Sequence, residues 1–146
     1  MRAHTRDALM YTGIAFPDHL DMRWLGATPK PDGSLYGFEC YQLLAEFRQV
    51  SNEATVTSPA GFVMDRASIP KIGRSFITKD GSWQRPSICH DFVFWKKGVP
   101  GVETFEKANA FFLAGMRQQG TPFIERNIIM AAVSSPIGWA IWEDDD

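Results

Sequence analysis

Hydrophobic periodicity changes partway along this chain, and that change limits the fold more than any single residue does. Before Asp65 the chain reads as strand-rich, although the alternation over residues 35–50 is imperfect. The clearest case is Ala54-Thr55-Val56-Thr57-Ser58, whose period-2 alternation with β-branched residues marks a strand. After Pro86 the spacing becomes helical. Ile88, Phe92 and Trp95 fall on one helical face, and Phe105, Ala108, Phe112 and Met116 make a second stripe. Ile124, Ile128, Ala131 and Ala132 are expected to be the packed face of a third helix. The implied class is α+β: a small antiparallel sheet in the N-terminal half packed with three C-terminal helices.

Turn and cap residues refine this outline. Pro17, Pro29 and Pro31, with Gly26 and Gly33, punctuate residues 1–33, which are expected to be irregular. Residues 35–50 read as strands, with a helix as the competing reading, and Ser51-Asn52-Glu53 reads as a hairpin turn. Pro59-Ala60-Gly61 ends the clearest strand, Phe62-Val63-Met64 suits a short further one, and from Asp65 a loop is expected through Ser68 to Pro70. Pro86 suits a first helical turn with Ser82 as a cap before it, and Lys96-Lys97-Gly98 gives that helix a cationic end and a stop. Thr104 opens the second helix and Gly120 closes it. Thr121 is expected to cap the third, with Pro122 at its first position and Glu125 near its positive end.

A length of 146 residues is about one domain's worth, and the expected organisation is a single domain over residues 1–146. Apolar residues make up 45% of the chain, enough for a core, and rule out a disordered class. A formal net charge of -2 removes any global attraction to nucleic acid, so no specific nucleic-acid partner is expected. Cys40 and Cys89 lack metal-ribbon or redox spacing and read as two reduced, buried thiols. The N-terminus lacks the apolar core of a secretory signal, so secretion by that route is not expected. Residues 128–142 are the most apolar stretch. They fall short of the ~20 residues of a membrane span and are interrupted by Ser134-Ser135-Pro136, so a buried helix stopping near the proline is expected instead. Residues 143–146 form an acidic tail.

Ionisable residues inside apolar segments mark the candidate site. His90 and Asp91 are adjacent on the first helix, so their side chains diverge by about 100° yet can line one cleft. Histidine serves as base or ligand near neutral pH, and aspartate can orient it or hold a cation. Asp65 sits just past a strand, beside Arg66 and three residues before Ser68, and a charge there needs partners. Two readings stay open. Asp65, His90 and Asp91 suit an acid/base or metal-ligand set; equally they suit a folding latch in which Asp65 and Ser68 satisfy loop N–H groups. Side-chain contact between His90 and Asp65 across the loop–helix junction is expected. Asn109, an amide among Ala108, Ala110 and Phe111, needs hydrogen bonds and lies within reach of the His90 helix. Glu106, one turn before it, reads as an exposed helix position.

These segments resemble DUF1353, a phage and prophage family of unknown function. Its proline-glycine-phenylalanine turn and aspartate-x-alanine-serine-x-proline stretch correspond to Pro59-Ala60-Gly61-Phe62 and Asp65-Arg66-Ala67-Ser68-Ile69-Pro70. Its histidine-aspartate pair with a following aromatic corresponds to His90, Asp91 and Phe94. Its later helix corresponds to Ala108, Asn109 and Phe112, and its last to Ala132-Val133 and Gly138-Trp139. Two positions depart from the pattern: Met64 stands in place of threonine, and Asn109 in place of aspartate. The resemblance implies a phage-encoded protein made in the bacterial host cytoplasm and built into the virion. Such a virion or assembly protein, at a tail tip or baseplate, would act through contacts with other virion proteins. The alternative is a small metal-dependent or His-Asp hydrolase serving host lysis or cell-wall passage. Asp65, His90 and Asp91 would then be catalytic, or would ligate a metal with Asn109. No cofactor is specified by either reading.

Overall fold

The computed structural model describes residues 10–26, 40–65 and 82–143. Five strands come first: β1 (Met22–Gly26), β2 (Cys40–Leu43), β3 (Phe47–Val50), β4 (Thr55–Ser58) and β5 (Val63–Asp65). Four helices follow: α1 (Gln84–Lys96), α2 (Phe105–Gln118), α3 (Phe123–Val133) and α4 (Pro136–Glu143). The α+β class holds, with an antiparallel β region packed against C-terminal helices. Two details differ from expectation: the strands form two sheets, and the described helices number four rather than three.

The larger sheet has the order β1-β2-β5 and the smaller is the β3-β4 hairpin; all pairs are antiparallel. Tyr41 faces Trp24 on one side and Met64 on the other. In the hairpin, Phe47 opposes Ser58 and Val50 opposes Thr55. The Ser51 hydroxyl closes the turn by accepting the Ala54 N–H at 2.9 Å. Alternation then decides what is buried: Phe47 and Gln49 from β3, Val56 and Ser58 from β4, face inward. β1 is a strand inside the segment expected to be irregular; its pairing with β2 shifts register between Trp24 and Gly26, a local irregularity that blurs its alternation.

α1 lies against β3, β4 and α2, so it is the central element. It buries Ile88, Cys89, Phe92 and Val93, but Trp95 is 59% exposed, contrary to the predicted face. Pro86 does sit in its first turn, although the cap position is Trp83 rather than Ser82. Lys97, in the left-handed conformation at φ 56°, and Gly98 terminate it. α2 buries the whole predicted stripe of Phe105, Ala108, Phe112 and Met116, and Thr104 caps it by accepting the Lys107 N–H at 3.1 Å. Gly115 on this helix has a packing reason. A Cβ there would stand 2.8 Å from Gln49 Nε2 and 2.9 Å from Pro86 Cβ, so the glycine lets the hairpin and α1 close on α2.

The third helix corrects the reading most. Its buried residues are Glu125, Ile129, Met130 and Val133; Ile124 is 72% exposed, Ala131 is exposed, and Ile128 and Ala132 are only partly covered. Apolar residues surround this helix on nearly all sides, so spacing alone did not identify the packed face. Thr121 does not cap it either. The cap position is Pro122, with no side-chain cap bond, and Thr121 is buried one residue earlier. The fourth helix begins where the third was expected to stop. Pro136 opens α4 at a position where its missing N–H costs nothing. Ser135 caps it, its hydroxyl accepting the Gly138 N–H at 3.3 Å.

Candidate functional site

His90 projects from the middle of α1 toward α2 and is 3% exposed. Two rings hold its imidazole: Phe112 stacks at 4.5 Å and Phe94 lies tilted at 4.2 Å between centroids. Its Nε2 is 2.8 Å from Asn109 Oδ1, and Asn109 Nδ2 donates to the Val133 carbonyl at 3.3 Å. This chain of bonds fixes the proton. The Val133 carbonyl only accepts, so the amide must turn its NH2 toward it and its oxygen toward the imidazole. Nε2 therefore carries the hydrogen and donates to Asn109. In the neutral ring the lone pair is left on Nδ1, which is 3.8 Å from Asp91 Oδ1. That separation suits an ion pair when the ring is protonated but exceeds a hydrogen bond.

The arrangement ties three helices together through polar groups in an apolar core. α1 supplies His90, α2 supplies Asn109 and the C-terminal end of α3 supplies a carbonyl that the helix itself leaves unpaired. Asn109 is fully buried and is satisfied as donor and acceptor. As a catalytic or metal-binding ring, His90 would have only Nδ1 to offer, because Nε2 is engaged. A neutral amide at position 109 also cannot balance a cation's charge.

Sequence reasoning brought His90 and Asn109 together correctly, and Asp91 lies beside the ring. The expected contact with Asp65 rests on a side chain outside the described residues; the Asp65 backbone ends β5, paired with Cys40. Ser68 also lies outside them, as does His4. Among the described residues no group of three or more His, Cys, Asp or Glu side chains is placed to hold a metal ion. Glu106 is exposed, as expected.

Gln49 was not singled out, although its place on the inward face of β3, two residues from Phe47, was a usable signal. It is fully buried and donates from Nε2 to the Phe111 carbonyl at 2.9 Å, linking hairpin to α2. Cys89 is buried as expected. Its thiol donates to the Val56 carbonyl at 3.8 Å, and the Ser58 hydroxyl lies 3.7 Å from the sulfur. Burial pushes this thiol up to about 12, and the Ser58 hydrogen bond opposes that shift. A thiol so protonated is a core side chain, not a nucleophile.

The family model described as "Protein of unknown function (DUF1353)" matches residues 41–133. The chain belongs to this family. The DUF1353 match runs from β2 to the last residue of α3, so it includes His90, Asp91, Asn109 and the Val133 carbonyl. It leaves β1 and α4 outside, including Gly138 and Trp139. No curated protein and no solved structure matches the chain. Membership in DUF1353 supports a phage-associated role, and within it the His90 cluster joins the helices of the matched region.

Proposed function

We propose that this DUF1353 protein is a phage virion or assembly component, associated with the tail tip or baseplate, that works by protein–protein contact through the outer face of α3 and α4. The observation that carries this reading is the apolar surface those helices leave uncovered. Phe123 and Ile124 of α3 are 67% and 72% exposed, and Ile137, Trp139 and Ile141 of α4 are exposed as well. Residues 127–142 contain no charged side chain. Large apolar side chains exposed singly are ordinary, but several on consecutive helices mark an interaction surface, here with Arg126 over the Phe123 ring at its edge. The tryptophan suits such a role, since aromatic anchors dominate interface energetics.

The His90 cluster fits the same reading as a brace. It aligns α1, α2 and the end of α3, and so sets the shape of the face that α3 presents. The hydrolase reading has less support, because the ring is enclosed by Phe94 and Phe112 and its Nε2 is engaged. On the assembly reading the protein is made in the host cytoplasm and carried in the particle, with other virion proteins as its partners. Among the described residues no helix is long and apolar enough to cross a membrane.

Purified particles test the proposal. The protein should be present at a fixed copy number in virions banded by density. A phage carrying Ile124→Glu or Trp139→Glu should lose most of that incorporation, while the isolated variant keeps its circular dichroism spectrum. Particles that assemble and infect normally with no trace of the protein would refute the assembly role.

A further inference from the structure

On another part of the molecule, the segment before β1, the first turn of α1 and the end of α2 border a widely open cleft of about 560 Å3. We propose that this cleft binds a small ligand through an oxyanion, a phosphate or a carboxylate, with Arg85 as the receiving cation. The proposal is independent of the assembly role. The size lies within the range of roughly 300–1,000 Å3 usual for small-molecule sites.

The charges in the cleft point to an anion. Asp18 is the carboxylate on its wall, and it is committed elsewhere. It accepts from Arg48 Nε and Nη2, each at 2.9 Å, and from the Arg48 backbone N–H at 2.9 Å. The Arg48 guanidinium holds the Asp18 carboxyl below the usual carboxylate range. Arg85, from the second position of α1, is half-buried and lines the same cleft, and among the described residues its side chain makes no hydrogen bond or ion pair. The first turn of α1 carries no acidic residue. A guanidinium with five donors in a recess whose carboxylate is already paired is matched by a bidentate oxyanion. His19 and the side-chain amides of Gln118 and Gln119 line the same cleft and add hydrogen-bonding groups.

The walls are also fixed in advance. Ala15 exchanges two backbone hydrogen bonds of 2.9 Å with Val50 of β3, and Asp18 is clamped to Arg48 of the same strand. The loop is thereby tied to the hairpin, so little order has to be gained on binding. A nucleic-acid backbone is a poorer occupant, because a polyanion needs a track of cations and the lining offers one unpaired arginine.

The test is an amide NMR titration of the full chain at pH 7 with sodium phosphate and, separately, sodium succinate, each against sodium chloride at matched ionic strength. One of the two should give saturable low-millimolar shifts at Phe16, Asp18, His19, Arg85, Gln118 and Gln119, and that one identifies the headgroup. Arg85→Gln should weaken this binding at least tenfold, while Arg85→Lys keeps part of it. Shifts that chloride reproduces, or that neither anion saturates, would overturn the proposal from the wild-type protein alone. So would binding that a folded Arg85→Gln variant retains in full.

Discussion

Removing one partner of the His90–Asn109 pair should cost much more than its net hydrogen-bond energy. In Asn109→Leu the branching at Cγ is kept in a somewhat larger side chain, but His90 Nε2–H is left buried without an acceptor and the Val133 carbonyl loses its donor. An orphaned buried polar group costs about 1–3 kcal/mol, so the variant should lose about 2–4 kcal/mol. For a chain of this size that lowers the melting temperature by about 4–16 °C. His90→Phe keeps the stacking on Phe112 but orphans the Asn109 oxygen, at about 1–3 kcal/mol. The double variant removes both polar groups together and should cost less than the two single losses added, with a coupling of at least about 1 kcal/mol. The assay is urea unfolding of all four proteins followed by tryptophan fluorescence. If the losses add to within about 0.5 kcal/mol, or if Asn109→Leu is itself near neutral, the pair is not a brace and the buried ring needs another explanation.

Two further outcomes follow from the packing. Gly138→Ala places a Cβ 2.1 Å from the Val133 carbonyl oxygen, where backbone must move; the expected loss is about 1–3 kcal/mol, with a changed near-ultraviolet signal from Trp142, and an unchanged melting curve would contradict it. Cys89 should resist a thiol reagent at pH 8 in the folded protein and react fully on unfolding. Its folded value is raised to about 12 from 9.0, so the stability it contributes is complete below pH 9 and is lost as pH rises from 9 toward 12. Unfolding midpoints measured across that window should fall more in the wild type than in Cys89→Ala.

The fold was legible where one local rule acted alone. Ala54-Thr55-Val56-Thr57-Ser58 had a single inward face, and β4 follows it. Every member of the stripe Phe105, Ala108, Phe112 and Met116 is buried, although α2 also buries Asn109, Ala110, Phe111, Leu113 and Ala114 beside it. The reading failed where two faces were equally apolar. Ile124 and Ile128 had the right spacing, yet Ile129 and Val133 are the residues α3 buries, because packing against α2 chooses between faces that sequence cannot rank. Trp95 is a similar case: its ring touches Phe62 and Phe92 but its outer side faces solvent. Pro136 was taken as a stop because prolines end helices, but with Ser135 before it the same residue starts one.

The candidate site divides in the same way. That His90 and Asn109 need polar partners follows from charge and amide chemistry in apolar segments, and their residue types alone carry that information. Which nitrogen holds the proton does not. It depends on the Val133 carbonyl, 24 residues from Asn109 along the chain, which only the crossing of α2 and α3 brings within 3.3 Å. The Arg85 cleft was invisible at the sequence level for a related reason. An arginine is ordinary by itself; it becomes notable when Asp18, from the segment before β1, reaches the same recess and pairs with Arg48 instead. Local spacing thus set the strands, the helices and the residues that had to be satisfied. Long-range packing set which face each helix buries and which partner each polar group finds, because those contacts are made between segments far apart in the chain.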